Sequence, residues 1–276
     1  MPSKPGRSSM LSGIELSLII PAYNEESRLP RMLDEAQHYL QRQYPGAHEI
    51  LVVDDGSRDR TYDTAVKAVG AERVLRMDRN SGKGAAVRRG MLAATGRLRL
   101  YADADGATPI ADESRLRAAI DRGADIAIGS RAADSRVRIG LRRQAGFRPP
   151  NGAADATVHA LPHRFLMGRV FTAFVRAVLG LSFKDTQCGF KMFRDEAALA
   201  VFSETVIDGF AFDVEVVYKA HLLGLRVEEV PVNWHDVRGG KVSLAIDPWL
   251  MLWDIARIRA QRRPRSTKQT GPRRAA

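Results

Sequence analysis

The sequence predicts an α/β fold, a mostly parallel sheet with helices on both faces. Three observations point to it. Short apolar runs alternate with segments of helical spacing from Leu16 to Gly129. The apolar runs are continuous, as expected of strands covered on both faces. Polar clusters recur where those runs stop, at Tyr23-Asn24-Glu25, Asp54-Asp55-Gly56-Ser57 and Asp103-Ala104-Asp105. Ligands in open α/β sheets bind beyond the carboxyl ends of the strands, so three such clusters predict one shared site.

The first strand is expected over Leu16–Ile20. The spacing of Leu29, Met32, Leu33, Ala36 and Leu40 predicts a helix over Glu26–Gln43. Strands are expected over Glu49–Val53, Arg73–Met77, Arg97–Ala102 and Asp125–Gly129, with helices over Thr61–Val69, Gly84–Thr95 and Ser114–Arg122. The regularity breaks after Arg131. Residues 132–162 are rich in Arg, Gly, Pro and Ala and read as a long mobile loop, of the kind that is usually functional or disordered. Further helices are expected over Phe165–Leu179, from Asp195, over Asp213–Leu223 and over Pro248–Arg259, with a strand over Arg226–Trp234. The organisation is then a disordered arm (1–13), one domain (14–242), and an amphipathic helix with a basic tail (243–276).

Several function classes are excluded or disfavoured. The single Cys188 forbids an intramolecular disulfide and any multi-cysteine metal site. His159 and His163 are four apart but fall in the Pro-containing loop, so no His pair of metal-ligand spacing is expected on a helix, and no G-x-S-x-G elbow supports a serine hydrolase. Asn80-Ser81-Gly82-Lys83-Gly84 fails the ATPase phosphate-loop template, although a Lys between glycines at a helix start can reach a phosphate. The same segment also suits a plain surface turn. Met1–Gly13 is polar, so no signal peptide is expected, and no stretch reaches the ~18 apolar residues of a membrane-spanning helix. The net charge of +11 implies an anionic partner. Nucleic acid is disfavoured, since no recognition motif is present.

Asp103 and Asp105 are spaced to hold a hard divalent cation, which would grip a diphosphate. Asp-x-Asp also occurs as a simple polar turn. In Asp54-Asp55-Gly56-Ser57 one Asp would accept from a base or ribose, while Ser57 or Asp59 would cap the next helix.

Seven segments carry a family resemblance, in this order: "IIPAYNEESRLPRML", "EILVVDDGSRDRT", "NSGKGAAVRRGML", "YADADGAT", "IAIGSR", "DTQCGFKMF" and "VNWHDVRGGKV". Over about Ile14 to Val242 the chain resembles the family 2 glycosyltransferases of the GT-A fold, and within them the dolichyl-phosphate β-glucosyltransferase branch. The resemblance implies that Pro21, Ala22, Tyr23 and Glu25 line a nucleotide pocket. Asp54 and Asp55 would meet uridine or ribose, with Lys83 near the nucleotide. Asp103 and Asp105 would hold Mg²⁺ or Mn²⁺, and with Ala104 they would form the diphosphate site. Arg131 would face the phosphates, and Asp185, Gln187 and Lys191 would lie near sugar or acceptor.

The expected reaction is an inverting transfer of a hexose, glucose from UDP-glucose, to polyprenyl or dolichyl phosphate. GDP-mannose as donor, and a soluble hydroxyl or small phosphorylated acceptor, stand as alternatives. A lipid phosphate is already anionic and needs no strong base, and Arg131, Arg142 and Arg143 would grip it. A hydroxyl acceptor would need a carboxylate base, for which Asp213 and Glu215 are the candidates, although acids also suit a helix start. Trp249, Leu250, Trp253, Ile255 and Ile258 before a basic tail suit a peripheral helix on the cytoplasmic face of an anionic membrane, or a helix packed on the domain.

Overall fold

The computed structural model describes residues 13–131, 136–139, 157–160, 173–235, 237 and 247–260. In chain order, β1 (Leu16–Ala22) leads to α1 (Leu29–Gln43), β2 (His48–Asp54), α2 (Thr61–Val69), β3 (Val74–Arg76) and α3 (Lys83–Ala93). Next come β4 (Leu98–Ala102), α4 (Glu113–Asp121), β5 (Ile126–Ser130), β6 (Arg136–Ile139), β7 (Thr157–Ala160) and α5 (173–179). The chain continues through β8 (Phe190–Arg194), α6 (Asp195–Phe202), α7 (Phe212–Leu222), β9 (Val227–Pro231), β10 (Trp234–His235) and α8 (Asp247–Ala260).

The main sheet has the order β3-β2-β1-β4-β8-β5-β9. All its pairings are parallel except those of β8, which runs antiparallel to both β4 and β5. That exception positions the site. Because β8 is reversed, its first residue, Phe190, lies opposite Ala102, the last residue of β4. The segment entering β8, Asp185–Gly189, is thereby brought to the carboxyl edge of the sheet beside Asp103.

Both faces of the sheet are covered, as the continuous apolar strands require. Leu18, Ile20, Val52, Leu100 and Met192 share one core with Leu33, Leu40 and Leu116. Ile19, Val53, Tyr101, Ile128 and Phe193 share the other with Val87, Phe202 and Phe212. The second core centres on aromatic rings, with Tyr101 stacked on Phe193 at 6.1 Å and Phe193 edge-on to Phe202 at 5.3 Å.

Three expectations change, and one choice between alternatives is narrowed. Helix α1 begins at Leu29, not Glu26: the Glu25 carbonyl accepts from the amides of Arg28 and Leu29, and Pro30 occupies the first turn, where its missing N–H costs nothing. The strand expected over Arg226–Trp234 is split into β9 and β10. Asn233 sits between them and donates its backbone N–H (2.5 Å) and side-chain amide (2.9 Å) to Asp112. Its hydrogen bonds are directed to Asp112 and the chain passes into a second, three-stranded sheet, β10-β7-β6. The segment 132–162 is not wholly a loop, since β6 and β7 pair in parallel register, Arg136 opposite Thr157. Arg142 and Arg143 lie outside the described residues, as do 1–12 and the basic tail. Finally, α8 packs on the domain through Ile255 and Ile258, both 0% exposed, while Trp253 points outward at 69% exposure.

Candidate active site

The carboxyl edge gathers the clusters that the sequence singles out. The turn after β1 is locked to the turn after β2. Asn24 takes a left-handed backbone (φ 50°), its N–H donates to Ser57 Oγ at 2.9 Å, and its Oδ1 accepts from Arg58 N at 2.9 Å. Pro21 and Ala22 are the buried last residues of β1, and Tyr23 is partly exposed beside them. Glu25 N donates to Thr61 Oγ1, and the Glu25 carboxylate receives Arg28 Nε and Nη2, both at 2.6 Å. Glu25 thus holds Arg28, whose charge also bears on Asp105. Ser57 serves this turn rather than capping α2.

The two acids after β2 divide their work. Asp54 is fully buried, accepts from Ser57 N at 3.1 Å through Oδ1, and turns Oδ2 toward Arg76 Nε at 3.4 Å. Beside it opens a cleft of about 380 Å³ lined by Gly56, Ser57, Arg76, Met77 and Asp78. Asp55 accepts from Ser81 N (2.7 Å) and Gly82 N (2.9 Å), pinning the loop that starts α3. Burial raises the Asp55 pKa against the pull of those two amides. The loop is packed tightly. Gly82 has φ 103°, and a Cβ on Gly84 would collide with the Ile207 carbonyl and Phe212. Both glycines are needed to seat Lys83 at the helix start.

Lys83 Nζ lies 2.6 Å from Asp103 Oδ1. Desolvation acts to lower the Lys83 pKa, but Asp103, Asp213 and Asp105 outweigh it and the ammonium is held above its ordinary value. Asp103 is raised by desolvation and by Asp105 against the opposing pull of Lys83. Asp105 Oδ1 accepts from Ala107 N at 3.0 Å, and Ala104 is buried between the two acids. Across the edge, Gly189 meets Asp103 so closely that a Cβ there would collide with the carboxylate.

This arrangement fits a hard divalent ion. The donors are carboxylate oxygens, and the bare Gly189 leaves the space that Asp103 occupies. No group of three His, Cys, Asp or Glu side chains suited to a metal exists among the described residues. Asp103 and Asp105 would therefore supply the protein's share, and phosphate oxygens and water the remainder. We expect Gly189→Ala to reduce turnover by about 10²-fold, as for loss of one electrostatic contact, with the melting temperature little changed. Wild-type turnover in that variant would mean Asp103 need not stay where it is.

On the opposite side, Arg131 follows β5 and forks onto Asp185: Nε to Oδ2 at 2.7 Å and Nη2 to Oδ1 at 2.9 Å. Its guanidinium stands 5.5 Å from the Trp234 ring. Burial pushes the Asp185 carboxyl up, but Arg131 and the amides of Arg131 and Gln187 pull it below the usual range. Glu229 fixes Asp185 from behind, accepting from Asp185 N (2.7 Å), Lys184 N (3.0 Å) and Ser130 Oγ (2.8 Å). Gln187 is partly exposed at the rim.

Lys191 and Asp213, expected beside the substrate, lie under the site. The Lys191 side chain is 0% exposed, with Nζ donating to Asp213 and to the Cys188 carbonyl at 2.7 Å. Tyr101 donates to Asp213 at 2.5 Å. The physical reason is the pleat: Lys191 is opposite Tyr101 in the β4-β8 register and points with it into the aromatic core. Glu215 is also withdrawn, accepting from the amides of Val206 and Ile207. Neither acid stands ready as a general base. Cys188 is buried and its thiol is pushed up to about 12 by burial and by Asp185. Glu229, Tyr101, Arg28 and Gly189 were not singled out from sequence; Arg28, Tyr101 and Gly189 lie inside the "IIPAYNEESRLPRML", "YADADGAT" and "DTQCGFKMF" segments, and Glu229 gave no signal.

The fold is of the GT-A type, with the acidic clusters at the carboxyl edge of its sheet. Solved structures of Mycobacterium tuberculosis glucosyl-3-phosphoglycerate synthase share the fold. One, in complex with Mn²⁺, UDP and phosphoglyceric acid, matches with TM-score 0.62 at 18% identity, covering 94% of this chain and 84% of that one. The Glycosyl transferase family 2 model matches residues 17–202, and the chain belongs to that family. A dolichyl-phosphate beta-glucosyltransferase of Drosophila melanogaster is 42% identical over 245 residues, covering 83% of this chain and 70% of that protein. Proteins of the same name from Saccharomyces cerevisiae and Homo sapiens are 35% and 37% identical, covering 89% and 83% of this chain and 74% and 69% of those proteins.

Proposed function

We propose that this family 2 glycosyltransferase moves glucose from UDP-glucose to dolichyl or another polyprenyl phosphate, with inversion. The observation that carries the reading is the pairing of two cations across the acidic edge, Lys83 on one side and Arg131 on the other. Such a site suits two phosphates, one on the donor and one on the acceptor. The relatives at 33–42% identity are named dolichyl-phosphate beta-glucosyltransferases, which supports the acceptor and the β configuration in this reading.

In this reading the nucleoside lies along Pro21, Ala22 and Tyr23, with Asp54 and the adjacent cleft taking its base and ribose. A Mg²⁺ or Mn²⁺ ion held by Asp103 and Asp105 would, when bound, neutralise charge on the departing diphosphate. An acceptor phosphate oxygen attacks the anomeric carbon from the face opposite the leaving group. The bond from that carbon to the diphosphate oxygen breaks, and UDP departs with the electron pair. The acceptor is largely dianionic above a second pKa of about 6, so no proton has to be removed. The burial of Asp213 and Glu215 accords with that chemistry. Arg131, immobilised by Asp185 and Glu229, offers a fixed positive charge rather than a mobile one, which is what preorganised stabilisation needs.

Peripheral contact with an anionic membrane belongs to the same proposal. No helix among the described residues is long and apolar enough to cross a membrane. The exposed Trp253, on a helix that also carries the exposed Arg257 and Arg259, suits an interfacial anchor.

The test is a transfer assay with UDP-glucose against GDP-mannose, each with and without dolichyl phosphate. Label entering the organic phase from UDP-glucose alone is the expected result. Transfer from GDP-mannose alone, or donor hydrolysis without a lipid product, would overturn the donor or the acceptor assignment respectively.

A further inference from the structure

Lys83 stands on the same carboxylate that a divalent ion would need. Its Nζ is 2.6 Å from Asp103 Oδ1, and its side chain is 21% exposed, while that of Asp103 is 35% exposed. The backbone beneath it is fixed: Asp55 accepts from the amides of Ser81 and Gly82, and Asp208 O accepts from Gly84 N at 2.7 Å. The Lys83 ammonium lies 5.7 Å from the Phe212 ring centroid, and the neighbouring Asp213 is already paired with Lys191. What can change here is the side chain, which has four rotatable bonds, and not the loop that carries it.

We infer that Lys83 acts as a resident counter-ion on Asp103, so that the site rejects a divalent ion arriving alone and accepts it together with a nucleoside diphosphate. The inference rests on the assignment of Asp103 and Asp105 as metal ligands. Charge bookkeeping gives the reason. With Lys83 seated, Asp103 is already neutralised, and a lone divalent ion adds two positive charges to a site whose other acid, Asp105, already feels the Arg28 charge. A divalent ion together with UDP, whose terminal phosphate is largely doubly ionised above a second pKa of about 6, adds no positive charge. The ion takes both carboxylates, and Lys83 transfers its charge to a phosphate oxygen that lies beside the helix start. Metal and nucleotide then bind cooperatively, because each supplies what lets Lys83 leave Asp103. Among the described residues no third His, Cys, Asp or Glu joins Asp103 and Asp105 in a metal-binding group, so competition for one of the two governs the affinity for the bare ion.

The experiment measures free Mn²⁺ by electron paramagnetic resonance during titration of the full chain, with and without UDP. Wild type is expected to bind Mn²⁺ at least about tenfold more tightly when UDP is present, a coupling of ordinary size. In Lys83→Met, Mn²⁺ without UDP should bind about tenfold more tightly than in wild type, UDP should bind more weakly, and the coupling should shrink. Lys83→Arg, which keeps the charge, should stay near wild type. Lys83→Met that melts like wild type yet binds bare Mn²⁺ no more tightly would overturn the inference while leaving the metal assignment intact. Should Lys83→Met melt early, Lys83→Gln makes the same comparison. Failure of wild type to bind Mn²⁺ even with saturating UDP would overturn both.

Discussion

Asp105→Ala is expected to lower kcat/KM for glucosyl transfer by about 10³-fold, roughly 4 kcal/mol of transition-state stabilisation. The protein should still fold, because Asp105 is only partly buried and its one described hydrogen bond is the local contact with Ala107 N. The loss should be concentrated in kcat if the charge it supports develops as the diphosphate departs, and in KM if it serves ground-state donor binding. Steady-state kinetics with a thermal melt on the same preparation decide the matter. Near-wild-type turnover would remove Asp105 from the metal site and leave the acidic edge as a polar turn.

The second large effect is on stability. Lys191→Met should destabilise the protein by about 3–5 kcal/mol, because it leaves Asp213 buried without its cation. Lys191 is 0% exposed and Asp213 3% exposed, so water cannot take over the lost interaction. Against a usual total of about 5–15 kcal/mol, such a loss brings the chain close to unfolding at physiological temperature. The double variant Lys191→Met with Asp213→Leu should recover most of it, since a buried pair can be exchanged for apolar groups at little net cost. Tyr101 would then lack its acceptor, a smaller penalty of about 1–3 kcal/mol. Denaturant melts of the two variants are the measurement. A single variant as stable as wild type would show that the Lys191–Asp213 pair contributes nothing net.

These two expectations differ in how far they could be read from the sequence. Asp105 was legible. It follows an apolar run, it has a carboxylate two residues before it, and two other polar clusters end neighbouring runs. Lys191 was legible as a residue of interest only through the "DTQCGFKMF" resemblance, and its environment was not. A lysine in an apolar strand could face either the site or the core, and the period-2 pleat does not say which until the register is known. The pairing of Lys191 with Tyr101 across β4 and β8 settles it. Asp55 shows the same limit. The resemblance put both adjacent acids on the nucleotide, but one of them holds the Lys83 loop by its backbone.

The sequence by itself determined the α/β class, the succession of strands and helices to β5, and the three polar clusters at strand ends. Those features are local: they depend on periodicity, on turn residues and on where apolar runs stop. Only the tertiary structure decided that β8 enters the sheet in reverse and brings Gly189 against Asp103. It alone decided that Glu229, some 44 residues beyond Asp185, steadies that residue and with it Arg131, and that Lys83 rests on Asp103. Each of these joins groups far apart in the chain, through a strand direction or a side-chain contact that no local pattern encodes.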